Sequence, residues 1–132
     1  MNREPRTVNL WPVSEKIKVA VIGVGALGQH HARYYADLAA HGVVEFVGVC
    51  DESTERARKT AATHGVPVLE NAKAVTEAAE AISVVTPTFT HFDLAKFFLK
   101  QGRHVLVEKP MTDETAQAAE LVELAQSNNC VL

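Results

Sequence analysis

Apolar residues fall in short unbroken runs separated by longer amphipathic stretches, and that alternation predicts the architecture. The run KVAVIG (18–23) is apolar after its first residue and lacks polar alternation, as a strand covered on both faces requires. Residues 26–40 then read as a helix, closed by His41 and Gly42. VVEFVGVCD (43–51) is a second strand. Ser53 caps a helix running to about His64, with Gly65 ending it. VPVL (66–69) reads as a third strand, and a helical turn over 73–79 leads into a fourth, AISVVT (81–86), broken by Pro87. A helix over 90–101 turns Leu94, Phe97 and Phe98 inward at the i, i+3, i+4 spacing and stops at Gly102. HVLVE (104–108) is the fifth strand. Thr112 reads as the N-cap of a helix reaching Ser127, with Asp113 and Glu114 complementing its positive end; CVL (130–132) begins a sixth strand. Phe92, Phe97, Phe98, Leu121 and Leu124 are core candidates. The pattern predicts an α/β fold: a doubly wound parallel sheet with helices on both faces, in three layers.

Composition narrows the picture without changing it. The chain has 132 residues, 47% of them hydrophobic, enough for one domain over 17–132 behind a polar arm (1–16) anchored by Trp11. A net charge of −3 offers no basic field for nucleic acid or acidic lipid. No run approaches the roughly 18 apolar residues of a membrane span, and the polar start is not a secretory leader. Cys50 and Cys130 fall in apolar runs and read as buried, reduced thiols, which suits a cytoplasmic location.

The chemistry begins at GVGALG, with glycines at 23, 25 and 28. Gly23 permits the tight turn out of the first strand, Gly25 removes a side chain where a pyrophosphate approaches, and Gly28 lets the helix pack close. The first-turn amides of a helix have no internal partners and, with the dipole, form an anion site. Val24, Ala26 and Leu27 contribute backbone groups there. Taken alone the glycines also fit a plain turn, but they follow a strand and open a helix, the context of a Rossmann dinucleotide site.

Asp51 ends the second strand 23 residues past Gly28, close to the spacing of an acid that accepts from the adenosine ribose hydroxyls; the bland alternative is a strand-end turn residue. A carboxylate there repels a 2′-phosphate, by about 1 kcal/mol at 4 Å in water. Glu52 adds to that, so NAD is favoured over NADP, with Arg56 one turn later as the counter-argument. The loop lacks the Gly-Lys-Ser/Thr ending of a P-loop. An S-adenosylmethionine site shares an acid after strand two and stays open on these residues alone.

Strands four and five end in VVTPTFTH (84–91) and HVLVEKPM (104–111), where open parallel sheets bind ligands. Pro87 stops pairing and turns Thr86 and Thr88 toward the crevice. Glu108 and Lys109 put a charged pair at the end of a buried strand, which is costly unless partnered or facing a site. Their bland reading is a solvated lysine and a capping glutamate. The adjacent His30 and His31 point apart on a helix and are poor metal ligands; His41, His64 and His104 sit at element ends and read as solvated. No cysteine–histidine spacing suits zinc, so no metal is expected.

With VAVIGVGALGQHHARYY, VGVCD, VVTPTFTH and above all HVLVEKPM, the sequence from about Lys16 to Leu132 resembles the Gfo/Idh/MocA family of glucose–fructose oxidoreductases, inositol dehydrogenases and related sugar dehydrogenases. The resemblance implies an NAD-dependent oxidoreductase moving hydride between cofactor and a sugar, cyclitol or nucleotide-sugar hydroxyl. It implies Gly23, Gly25 and Gly28 as the pyrophosphate loop and Asp51 as the ribose anchor. Thr86, Pro87 and Thr88 would pass under the nicotinamide side, with His91 nearby and Glu108 touching the cofactor. Lys109 would meet the substrate hydroxyl and help move its proton, and the Lys109–Pro110 bond is a candidate for cis. Such proteins carry a second, substrate-binding half. The expectation is therefore that this chain binds cofactor, turns over little alone, and exposes a crevice face prone to self-association. A non-catalytic NAD(H)-binding redox sensor on the same fold is the alternative.

Overall fold

Four of the apolar runs pair in one parallel sheet, the run over 17–22 lying between those over 44–50 and 81–84, with the run over 104–107 beside the last. The structure, a computed structural model, describes residues 15–132. The strands are β1 (Ile17–Ile22), β2 (Val44–Cys50), β3 (Ala81–Val84) and β4 (His104–Val107). The helices are α1 (Gly28–Ala40), α2 (Thr54–His64), α3 (Ala72–Ala78), α4 (His91–Lys100) and α5 (Thr115–Ser127). A 3₁₀ turn, Thr88–Thr90, precedes α4. The Trp11 anchor and nearly all of the polar arm lie outside the described residues.

Because strand side chains alternate, the sheet supplies two cores. Val19, Val21, Phe46 and Val49 pack with Ala32 of α1 and Ala61 of α2. Ala20, Ile22, Ile82, Val84 and Val105 pack on the other face with Val75, Phe98, Leu99, Leu121 and Ala125 of α3, α4 and α5. The three-layer αβα sandwich follows from period-2 strands meeting period-3.6 helices. Strand order reverses between β1 and β3, so their carboxyl ends open a crevice at the switch point.

Several expected details differ. VPVL forms no strand: Val49 and Val68 make an isolated parallel bridge, with the Leu69 amide donating to the Val49 carbonyl at 2.7 Å. Pro67 has no N–H for a further bond, which confines the segment to an edge contact. CVL forms none either, although the Val105 amide reaches the Val131 carbonyl at 3.0 Å. There His104 is not solvated but half-buried, its Nδ1 accepting from the Val131 amide at 2.9 Å. His64 is also half-buried, its ring centroid 6.3 Å from that of Phe46. Thr112 is not the cap of α5; its hydroxyl donates to the Glu114 carbonyl, and Glu114 occupies the N-cap. In α4 the fully buried side chains are His91, Ala95, Phe98 and Leu99, while Leu94 and Phe97 are only half-buried. Cys50 is buried and Cys130 half-buried; both are free thiols. No described helix is long and apolar enough to cross a membrane.

Candidate dinucleotide site

The β1–α1 junction explains two of its glycines by packing and leaves the third to something else. Gly23 has φ +93°, and an added Cβ would run into the Val85 carbonyl, just past the end of β3. At Gly28 a Cβ would meet the Gly23 carbonyl, so α1 starts tight against the turn. Gly25 has neither constraint: its φ lies outside the left-handed region, and nothing lies within 4 Å of a Cβ built there. The fold does not need that glycine. Helix α1 also lacks an acidic residue in its first turn and any side-chain cap. The amides of Gly25, Ala26, Leu27 and Gly28 donate to no described residue. This is an open anion cradle, and the residues present fit a dinucleotide pyrophosphate.

Val24 differs from its neighbours. Its amide donates to Asp51 Oδ2 at 2.8 Å, so the acid also fastens the glycine loop to the end of β2. Asp51 Oδ1 accepts from the Ser53 amide at 2.7 Å and from Arg56 Nη2 at 3.0 Å. Burial pushes this carboxyl up, but the two amides and the guanidinium outweigh it and hold it below the usual aspartate range. Oδ2 keeps acceptor capacity for a hydroxyl. Burial, reinforced by the Asp51 charge, raises the neighbouring Cys50 thiol, which keeps it protonated and inert.

A cavity of about 420 Å³ lies beside this acid. It brings together Gly23, Asp51, Thr86 and Pro87 among the expected residues, and adds Arg56, Asn71 and Phe89. Phe89 is 74% exposed on its rim. Thr88 does not line the cavity; it opens the 3₁₀ turn. The Thr86 hydroxyl is tied at 2.6 Å to that of Thr90, which donates to the Pro87 carbonyl at 2.6 Å. The cross-loop role of Thr90 had no signal beyond its place in the VVTPTFTH motif.

Glu108 and Lys109 stand apart at the end of β4. Glu108 Oε1 meets His31 Nε2 of α1 at 2.8 Å. The other nitrogen of His31 lies 3.2 Å from Ser83 Oγ, which is 2.6 Å from the Tyr35 hydroxyl. The His31 hydrogen bond leads the causes that hold the Glu108 carboxyl below the usual glutamate range. Sequence reasoning missed this chain of groups, although Ser83 inside an apolar strand was a usable signal. Glu108 Oε2 also accepts from the Lys109 amide at 3.3 Å. The Lys109 side chain is exposed, with no ion pair to a described residue, and the Lys109–Pro110 bond is cis. His91 does not face the crevice: it is 1% exposed, with both nitrogens against main-chain carbonyls.

The family model described as an oxidoreductase family with an NAD-binding Rossmann fold matches residues 17–132. The UDP-N-acetylglucosamine 3-dehydrogenase of Acidithiobacillus ferrooxidans is 39% identical over 116 residues, covering 88% of this chain and 36% of that protein. Its solved structure superposes with a TM-score of 0.83 at 38% identity, over 89% of this chain and 36% of that one. GenD2 of gentamicin A biosynthesis, solved in complex with NAD, gives 0.82 at 31% identity, over 89% of this chain and 34% of that one. The WlbA dehydrogenase of Bordetella pertussis, solved with NADH and UDP-GlcNAcA, gives 0.78 at 26% identity, over 88% of this chain and 36% of that one. The chain thus spans about a third of the length of these proteins.

Proposed function

The chain belongs to the Gfo/Idh/MocA oxidoreductase family, and we propose that it is the dinucleotide-binding part of an enzyme acting with NAD on a sugar, cyclitol or nucleotide-sugar hydroxyl. The observation that carries the reading is Gly25, a glycine that neither backbone conformation nor packing demands and that an approaching pyrophosphate does.

The bound nicotinamide would supply the hydride acceptor or donor. The chain's own residues bind and orient. The amides of Gly25, Ala26 and Leu27, at the positive end of α1, hold the diphosphate, with Gly23 and Gly28 keeping the turn tight. Asp51 accepts from the adenosine ribose through Oδ2 while keeping Val24 in place. Thr86 and Pro87 form the floor toward the nicotinamide, with Thr88 opening the turn behind them, and Glu108 borders it, held by His31. As the neutral amine Lys109 takes the hydroxyl proton when the carbon is oxidised, and as the ammonium it returns that proton in reduction; no ion pair to a described residue ties its Nζ elsewhere. The chain spans about a third of the length of its relatives, so cofactor binding is the property to test on it.

Titration of the chain with NADH, NADPH and S-adenosylmethionine tests the reading. Tightest binding of NADH is expected. Tightest binding of S-adenosylmethionine, or no response to either nicotinamide, overturns it.

A further inference from the structure

His91 is a buried side chain, 1% exposed, and its contacts join two separate loops. The ring leaves the first turn of α4, a helix anchored in the core by Ala95, Phe98 and Leu99. Nε2 lies 2.8 Å from the Thr86 carbonyl, in the loop after β3. Nδ1 lies 2.9 Å from the Pro110 carbonyl, in the loop after β4. Each ring nitrogen faces a carbonyl acceptor, a ring N–H donates wherever one is carried, and the rigid ring spaces both loops. Neither carbonyl belongs to regular structure. Two short loops, one bearing Thr86–Pro87 and the other Lys109–Pro110, are thus referenced to one buried ring.

The geometry points to His91 as a positioning residue that sets the nicotinamide end of the crevice, rather than as a group that touches the cofactor. This rests on the cofactor reading above. The adenosine half of the site stands on different supports, Asp51 with the Val24 and Ser53 amides, none of which contacts His91. Thr86 and Pro87 also line the cavity beside Asp51, whereas Lys109 and Pro110 do not, so loss of the ring should act more on the nicotinamide end of the ligand than on the adenosine end. A merely structural histidine would affect both ends alike.

The test compares NADH with ADP-ribose, which lacks the nicotinamide, on the full 132-residue chain. His91→Ala is expected to weaken NADH about tenfold and ADP-ribose only about two- to threefold. His91→Asn, which keeps a donor, should recover part of the loss. In the unaltered chain the His91 ring nitrogen resonances should move when NADH binds and stay still with ADP-ribose; this decides the matter if both variants fail to fold. Equal losses for the two ligands, no loss for either, or ring signals indifferent to NADH overturn the proposal while leaving the cofactor reading intact. Failure of the unaltered chain to bind either ligand overturns both.

Discussion

Two strand–helix junctions sit side by side at the same edge of the sheet, and they are finished in opposite ways. At β2–α2 the protein completes itself: the Ser53 hydroxyl accepts from the Arg56 amide, Glu55 places a negative charge in the first turn, and Gly65 closes the far end. At β1–α1 there is no cap and no acid, and the amides from Gly25 to Gly28 donate to no described residue. Helix ends left open cost stability unless something else satisfies them. The β1–α1 junction, first along the chain, is left open to a ligand, whereas the β2–α2 junction, the second, satisfies itself. Asp51 links the two, holding Val24 of one and Ser53 of the other.

The comparison breaks most visibly at Gly25. Gly25→Asp would hand the first junction the internal anion that the second already has. Space is open there, so folding stability should hold or rise by about 0.3–1 kcal/mol, as carboxylates do at helix starts. NADH binding should fall roughly a hundredfold, since a fixed carboxylate repels a diphosphate by about 4 kcal/mol per charge pair at 4 Å and an effective dielectric of 20. Thermal unfolding and a binding titration on one sample check both halves. Unimpaired NADH binding would mean that the cradle is not the diphosphate site.

Asp51→Ala removes the link. NADH affinity should fall about tenfold, and the preference over NADPH should narrow. Stability should drop by about 1–3 kcal/mol, because the Val24 and Ser53 amides lose their acceptor. The acid dependence follows by sign. Asp51 has a lowered folded pKa, so its contribution is fully present above the ordinary aspartate value near 4 and is lost as pH falls through the lower folded value. Denaturant midpoints should therefore fall less steeply in acid for the variant than for the unaltered chain. Parallel acid profiles would place the stabilisation elsewhere.

Most of the fold was legible because it rests on local pattern. Apolar runs marked all four strands of the sheet, and Ser53 and Gly65 marked the ends of α2 where they stand. The failures lie where tertiary partners decide. Pro67 and the chain's last residues carry strand-like composition but lack neighbours to pair with over more than one or two bonds. The site was legible by position and less so by contact. GVGALG and Asp51 announce themselves by spacing. Nothing in the spacing says that Asp51 holds Val24, that His31 reaches Glu108, or that His91 turns inward. Those bonds join residues up to 77 positions apart, and only the packed sheet brings them together.

The second junction offers a smaller, complementary test. Ser53→Ala deletes its cap and should cost about 1 kcal/mol in stability. Because Ser53 holds Asp51 through its main-chain amide, which alanine retains, NADH affinity should change by less than about twofold. A large loss of affinity would show that the self-completed junction also serves the ligand.

The smallest expected effect concerns Arg56, whose guanidinium shares Asp51 Oδ1 with the Ser53 amide and is itself half-exposed. Exposed ion pairs contribute little, about 0.2–1 kcal/mol, so Arg56→Ala should hardly alter folding. Its consequence for cofactor choice is different in kind. A 2′-phosphate brought to this edge meets the charges of Asp51 and Glu52, and Arg56 is the cation that offsets them. Without it, NADPH should bind about three- to fivefold more weakly, whereas NADH, which presents hydroxyls, should change by less than about twofold. The widened ratio should shrink as salt rises from about 0.01 M to 1 M, because the screening length falls from about 30 Å to about 3 Å. An unchanged ratio at low salt would reduce Arg56 to a companion of Asp51 and leave the carboxylate alone to decide between the two cofactors.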